Sequence, residues 1–243
     1  MTKTLAEARS YAQTVRQALG DGGIPGVQPF VCPPATALAE VARVFRGSPV
    51  LVGAQNAHWA DGGAWTGELS VPQVADAGAD LVEIGHSERR EHFAETDEVV
   101  RRKVDAALRH GLIALLCCGE PASTFAAGRS VPHVLAQVES ALGGVNDVED
   151  LSRVVIAYEP VWAIGEHGRP AEPAEVAEVH AALADRWPGV RAVLHGGSVN
   201  RVNAPRLLEL PGVDGVFVGR AAWRAEGFLE LLDLARRETA ERR

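Results

Sequence analysis

Lysine is almost absent from this chain. Lys3 and Lys103 are the only two in 243 residues, and arginine carries nearly all the positive charge. The net charge is −8, which argues against nucleic acid as a partner. An anionic ligand would need a local positive site set against that background. Cysteine is also scarce: Cys32, Cys117 and Cys118. An odd count with two adjacent members is no disulfide framework, and there is no Cys-x-x-Cys pair to suggest a metal site. A reducing cytosol fits this usage. No apolar run approaches the ~20 residues needed to span a bilayer. Met1–Gln13 is polar and helix-like, without the pattern of a signal peptide. No low-complexity linker divides the sequence, so a single domain over residues 1–243 is the simplest organisation. The expectation is a cytoplasmic globule with neither a membrane nor a nucleic-acid partner. Its 47% apolar and 23% charged residues are the balance of an ordinary domain.

What is present is alternation. Leu5–Leu19 repeats apolar residues at helical spacing and stops at Gly20-Asp21-Gly22-Gly23. Short apolar runs then recur at Val27–Cys32, Val50–Gly53, Leu81–Gly85, Ile113–Cys118, Val154–Tyr158, Ala192–Leu194 and Val213–Val218. Helical patterns separate most of them, at Thr96–His110, Glu172–Trp187 and Asn203–Leu208, and Ala141–Asp150 reads as a long loop. This is a parallel βα repeat with right-handed crossovers. The count of strands is seven, one fewer than an eightfold barrel needs.

Polar and glycine residues gather just after these runs, where α/β barrels keep their chemistry. Ala157-Tyr158-Glu159 delivers one carboxylate at a strand end. A stiff Pro160-Val161-Trp162 corner follows, then the flexible tract Gly165-Glu166-His167-Gly168-Arg169-Pro170. The pattern reads as a base followed by a closing loop. A lone glutamate there is most often a solvated surface residue; the other strand ends change that balance. Gly196-Gly197-Ser198-Val199-Asn200 and Gly219-Arg220-Ala221-Ala222 place small residues at the last two strand ends. Backbone N–H groups there approach an anion closely, and in barrels these two loops hold phosphate. His86 leaves a strand directly ahead of a helix start, a setting that disfavours the imidazolium and leaves a neutral hydrogen-bond donor. Read alone, such a residue is more often a capping or buried structural histidine.

Six segments resemble the signatures of triosephosphate isomerases: Gly53-Ala54-Gln55-Asn56, Ala64-Trp65-Thr66-Gly67-Glu68, Gly85-His86-Ser87-Glu88-Arg89-Arg90, Cys117-Cys118-Gly119-Glu120, Tyr158–Gly165 and Gly196–Asn200. The likeness runs in order from about Thr4 to the C-terminus. It implies an α/β (β/α)8 barrel, a homodimer, that interconverts an aldose and a ketose phosphate without cofactor or metal. By that resemblance Glu159 is the base and His86 the neutral electrophile, a pairing long used to illustrate pKa tuning. Gly165, Ser198, Gly219 and the amide of Arg220 would hold the phosphate. Trp65-Thr66 resembles the loop that reaches into the neighbouring subunit.

Four departures stand beside it. Met1-Thr2-Lys3 aligns just past the family's first strand, so that strand and its catalytic lysine are absent from the chain as given; a start assigned too far downstream is the expected cause. Lys3 and Lys103 are not natural substitutes. Gly219-Arg220 replaces a Gly-Gly pair, Glu166–Pro170 departs from the usual closing loop, and His195 replaces a tyrosine that helps to latch that loop. Phe217–Trp223 resembles a branch acting on four-carbon ketose phosphates such as erythrulose phosphate. Three readings follow: a triose-phosphate isomerase, an isomerase of a tetrulose phosphate, or a non-catalytic barrel that binds sugar phosphate.

Overall fold

The computed structural model describes residues 1–145, 147–165 and 168–241. Seven parallel strands lie in one sheet in chain order: β1 Phe30–Val31, β2 Leu51–Ala54, β3 Leu81–Ile84, β4 Ile113–Cys118, β5 Val154–Tyr158, β6 Ala192–His195 and β7 Gly215–Val216. The helices between them are α1 Leu5–Leu19, α2 Leu38–Phe45, α3 Val71–Asp76, α4 Ser87–His92, α5 Asp97–Arg109, α6 Ala122–Ala126, α7 Ser130–Leu142, α8 Val148–Leu151, α9 Pro173–Arg186, α10 Ala204–Leu208 and α11 Ala225–Glu241. The outer strands are shorter than their apolar runs. Only Phe30–Val31 and Gly215–Val216 are paired, because each has a neighbour on one side alone. Residues 141–150 are not all loop: α7 continues to Leu142, and Asp147 caps the short α8 by accepting the Glu149 N–H at 2.8 Å.

Local chemistry explains the boundaries. Thr4 and Glu7 form a reciprocal capping box at the start of α1, and Ser70 and Gln73 do the same for α3. Asp80 accepts the Val52 N–H and Asp214 accepts the Val193 N–H, each at 2.8 Å. These two aspartates satisfy strand amides that would otherwise be unpaired.

The parity of each strand splits the core in two. Leu81, Leu115, Cys117, Ala157 and Leu194 point into the curve of the sheet. Ile84, Leu116, Ile156 and Tyr158 point outward under the helices and are fully buried. Each such apolar side chain stabilises the fold by about 1.5–3 kcal/mol. Among the described residues no strand pairs with the outer edges of β1 and β7. Phe30 and Phe217 stack across that gap at 6.0 Å. Outside it, α1 packs on both α2 and α11, and the Tyr11 hydroxyl donates to the Ala222 carbonyl at 3.0 Å. The sheet is therefore curled as in a TIM barrel, with the helical layer continuous where the strands are not. No described helix is long and apolar enough to cross a membrane.

Candidate active site

Glu159 is held by the backbone on both sides. Its N–H donates to the Cys118 carbonyl at 2.8 Å, and the preceding Tyr158 carbonyl accepts the Gly196 N–H at 2.8 Å. The carboxylate then lies over Gly196, where a Cβ would fall 2.6 Å from Glu159 Cγ. A Cβ on Gly119 would fall 1.9 Å from the Glu159 carbonyl. Glycine at both positions lets two neighbouring loops close around one side chain. Glu159 is buried, and its Oε2 makes no hydrogen bond. Burial raises its pKa, while the charge of His86 and the Cys117 thiol pull it down and Glu88 adds to the rise. An oxygen without a donor on a carboxyl of raised pKa is suited to accept a proton.

His86 faces it. Nε2 lies 3.5 Å from Glu159 Oε2, and Nδ1 accepts the Glu88 N–H at 3.3 Å. That second bond favours the tautomer with its proton on Nε2, the nitrogen nearer the carboxylate. Burial lowers the imidazole pKa, but the carboxylates of Glu159, Glu83 and Glu88 outweigh it and the net direction is upward. The helix start, which favours a neutral ring, is thus opposed by the neighbouring carboxylates. The six-residue α4 contributes one long N–H contact, whereas several carboxylates surround the ring. Neutral or charged, the ring presents an Nε2–H. Arg90 fixes the turn behind it by donating to the Gly85 carbonyl at 2.8 Å and to Asp97 at 2.6 Å.

The remaining expected site residues border the same place. A Cβ on Gly197 would touch Ala163 Cβ at 3.4 Å, so the 196–198 turn lies against the Pro160–Ala163 corner. Ser198 has a positive φ of 48°, and its hydroxyl is buried without a partner. A strained residue with an idle hydroxyl is a frequent mark of a ligand clamp. Arg220 donates to the Gly165 carbonyl at 3.0 Å, which brings Gly219 and Arg220 beside the end of that corner. Glu166 and His167 of the expected closing loop lie outside the described residues. Beyond them, Arg169 pairs with Glu175 at 2.7 Å and lies over the Trp162 ring at 4.7 Å.

Other residues were not given a role by sequence. Glu120 is fully buried, and one oxygen accepts from Trp162 Nε1 at 2.9 Å, Ser130 Oγ at 3.1 Å and the Tyr158 hydroxyl at 3.2 Å. It anchors Tyr158 just before Glu159 and Trp162 in the corner just after it. Glu83 shares the inward parity of Leu81, so β3 turns it into the curve of the sheet. Solvent reaches it there, but surrounding protein pushes its carboxyl up to about 7, with His86 lowering and Glu159 raising it. A charge at an alternate position of an apolar strand is the signal that would have found it. Lys103 is buried on Glu95 at 3.0 Å and Asn56 at 2.6 Å, with Arg89 on the other Glu95 oxygen at 2.6 Å. His195 does not face the closing loop. Its ring is buried behind the sheet, 2.8 Å from His180 Nε2, because the parity of β6 turns it toward α9.

A model of the triosephosphate isomerase family matches residues 1–235. The chain belongs to the triosephosphate isomerase family. It is an isomerase, as the resemblance implied. Its relatives include an L-erythrulose-1-phosphate isomerase of Mycolicibacterium smegmatis, 52% identical over 97% of this chain and 90% of the relative. Another of that name, from Rhizobium rhizogenes, is 49% identical over 96% of this chain and 90% of the relative. A crystal structure of the triosephosphate isomerase from Bartonella henselae superposes with a TM-score of 0.83 at 35% identity, covering 97% of this chain and 95% of that one.

Proposed function

We propose that the protein isomerises a four-carbon ketose phosphate of the erythrulose phosphate kind, moving a proton between adjacent carbons. The observation behind the reaction type is the buried Glu159 carboxylate, with one oxygen unpartnered, facing His86 Nε2 at 3.5 Å. Glu159 takes the proton from the carbon beside the carbonyl. The His86 Nε2–H donates to the carbonyl oxygen as it gains charge, giving an enediol or enediolate. Glu159 returns the proton to the former carbonyl carbon, while the hydroxyl proton of the neighbouring carbon passes by way of His86 Nε2 to the former carbonyl oxygen, so that the neighbouring C–O becomes the new carbonyl. Gly165, Ser198, Gly219 and the amide of Arg220 hold the phosphate at the far end.

The length of the substrate rests on the relatives. Proteins about half identical over nearly the whole chain are named for erythrulose phosphate, which favours four carbons over the triose expected at first. The loop carrying Trp65 and Thr66 completes the proposal. Trp65 is half exposed, beside His58 and Trp59, and suits contact with a second copy of the chain. The free thiols fit a cytoplasmic setting. Steady-state kinetics on erythrulose phosphate and glyceraldehyde 3-phosphate test the reading: kcat/KM should be higher for the four-carbon substrate. Preference for the triose would reverse the substrate, and phosphate binding without turnover of either would favour the non-catalytic barrel.

A further inference from the structure

We infer that the Arg220 guanidinium, and not only its backbone amide, reads the substrate's phosphate, exchanging the Gly165 carbonyl for that anion when substrate binds. The inference rests on the isomerase reading above and assigns a specificity-determining side chain to its phosphate end.

Three segments converge there. The corner beginning at Pro160 carries Gly165; the 196–198 turn lies against Ala163; and Arg220 reaches back from the end of β7 to the Gly165 carbonyl at 3.0 Å. Ser198 and Arg220 thus border one short stretch of chain from two sides. Ser198 brings a buried hydroxyl without a partner. Arg220 brings a permanent charge. Elsewhere the arginines of this acidic chain mostly sit on carboxylates, as Arg90 does on Asp97 and Arg169 on Glu175. Among the described residues Arg220 has no carboxylate partner, and its recorded hydrogen bond is to a neutral carbonyl.

That arrangement is easily exchanged. A carbonyl accepts one hydrogen bond from a group with five donors in a planar fork. A phosphate oxyanion accepts two in parallel, and charge-assisted bonds are roughly twice as strong as neutral ones. The exchange is driven by the charge of the acceptor. In a chain of net charge −8, a guanidinium with no carboxylate partner among the described residues, close to the turn that carries an idle buried hydroxyl, is the local positive site that an anionic ligand requires.

The test uses the full chain as wild type, Arg220→Ala and Arg220→Lys, with inorganic phosphate as the probe. Calorimetric titration should show phosphate binding to Arg220→Ala about tenfold or more weaker, the loss of one charge-assisted contact. Arg220→Lys should recover part of it as a point charge. KM for the sugar phosphate should rise in step with the phosphate dissociation constant, and by more than kcat falls. Melting temperature should stay unchanged because the side chain is exposed. Equal phosphate affinity in wild type and Arg220→Ala would overturn the inference and leave Arg220 a brace for Gly165, even if turnover is normal. Phosphate binding lost in Arg220→Ala, in a wild type that turns over no sugar phosphate, would uphold the anion site and refute the isomerase reading instead.

Discussion

Gly196→Ala isolates the placement of the base from its chemistry. The new Cβ would lie 2.6 Å from Glu159 Cγ and 2.9 Å from Oε1, where ordinary contact begins near 3.4 Å. The carboxylate must therefore retreat by about 0.8 Å. Gly196 has no positive φ, so alanine suits the backbone and the conflict is one of space. Overpacking of this kind costs about 1–3 kcal/mol of stability. Displacing a reacting group by ~1 Å costs on the order of 100-fold in rate. Initial rates at saturating substrate, with melting curves to establish folding, measure both. Glu159→Asp alone should fall by a similar ~100-fold, because its carboxylate is set back by about one methylene. The double variant Gly196→Ala/Glu159→Asp should lose less than the product of the two single losses, because both changes displace the same carboxylate. That non-additivity is the signature of direct contact. A folded Gly196→Ala enzyme within about threefold of the wild-type kcat, or two losses that simply multiply, would refute the reasoning.

His86→Gln should lower kcat by ~10²–10³ with phosphate affinity nearly intact, as expected when a donor to a developing oxyanion is lost; lost affinity with unchanged kcat would mark a binding or structural residue. Glu159→Gln should abolish turnover yet melt at a higher temperature at pH 7. Burial raises the Glu159 pKa in the fold, so its ionised form opposes folding above the unfolded value of 4.5, and the advantage of glutamine should vanish below that pH. Burial pushes His180 down to about 3, with the charge of His195 adding to it, and burial alone pushes His195 to about 4. Both favour the fold while neutral, so their contribution is complete above pH 6.5 and is lost as pH falls toward those values, by about 1.4 kcal/mol per unit for each ring. The urea midpoint should drop between pH 6.5 and 4.5 less steeply in His195→Gln than in wild type; equal slopes would show that the pair is not buried neutral.

Much of the site was legible because its cues are local. Apolar runs ended at glycines and charged residues, which located β3 to β6 within a residue or so and put His86 and Glu159 at strand ends. The ordered segments carried the family, since loops at strand ends must keep their residue types to do their chemistry. What sequence could not give depends on parity and on neighbours distant in the chain. Inward parity makes Glu83 an interior carboxyl, and outward parity takes His195 away from the closing loop and onto His180. Lys103 lies within the helical pattern Thr96–His110, and only the packing of α5 buries it on Glu95 and Asn56. The surroundings of His86 follow the same rule. A helix start suggested a neutral ring, but pKa is set by every charge within a few ångströms. Only the fold brought Glu159, 73 residues further on, within 3.5 Å of that ring.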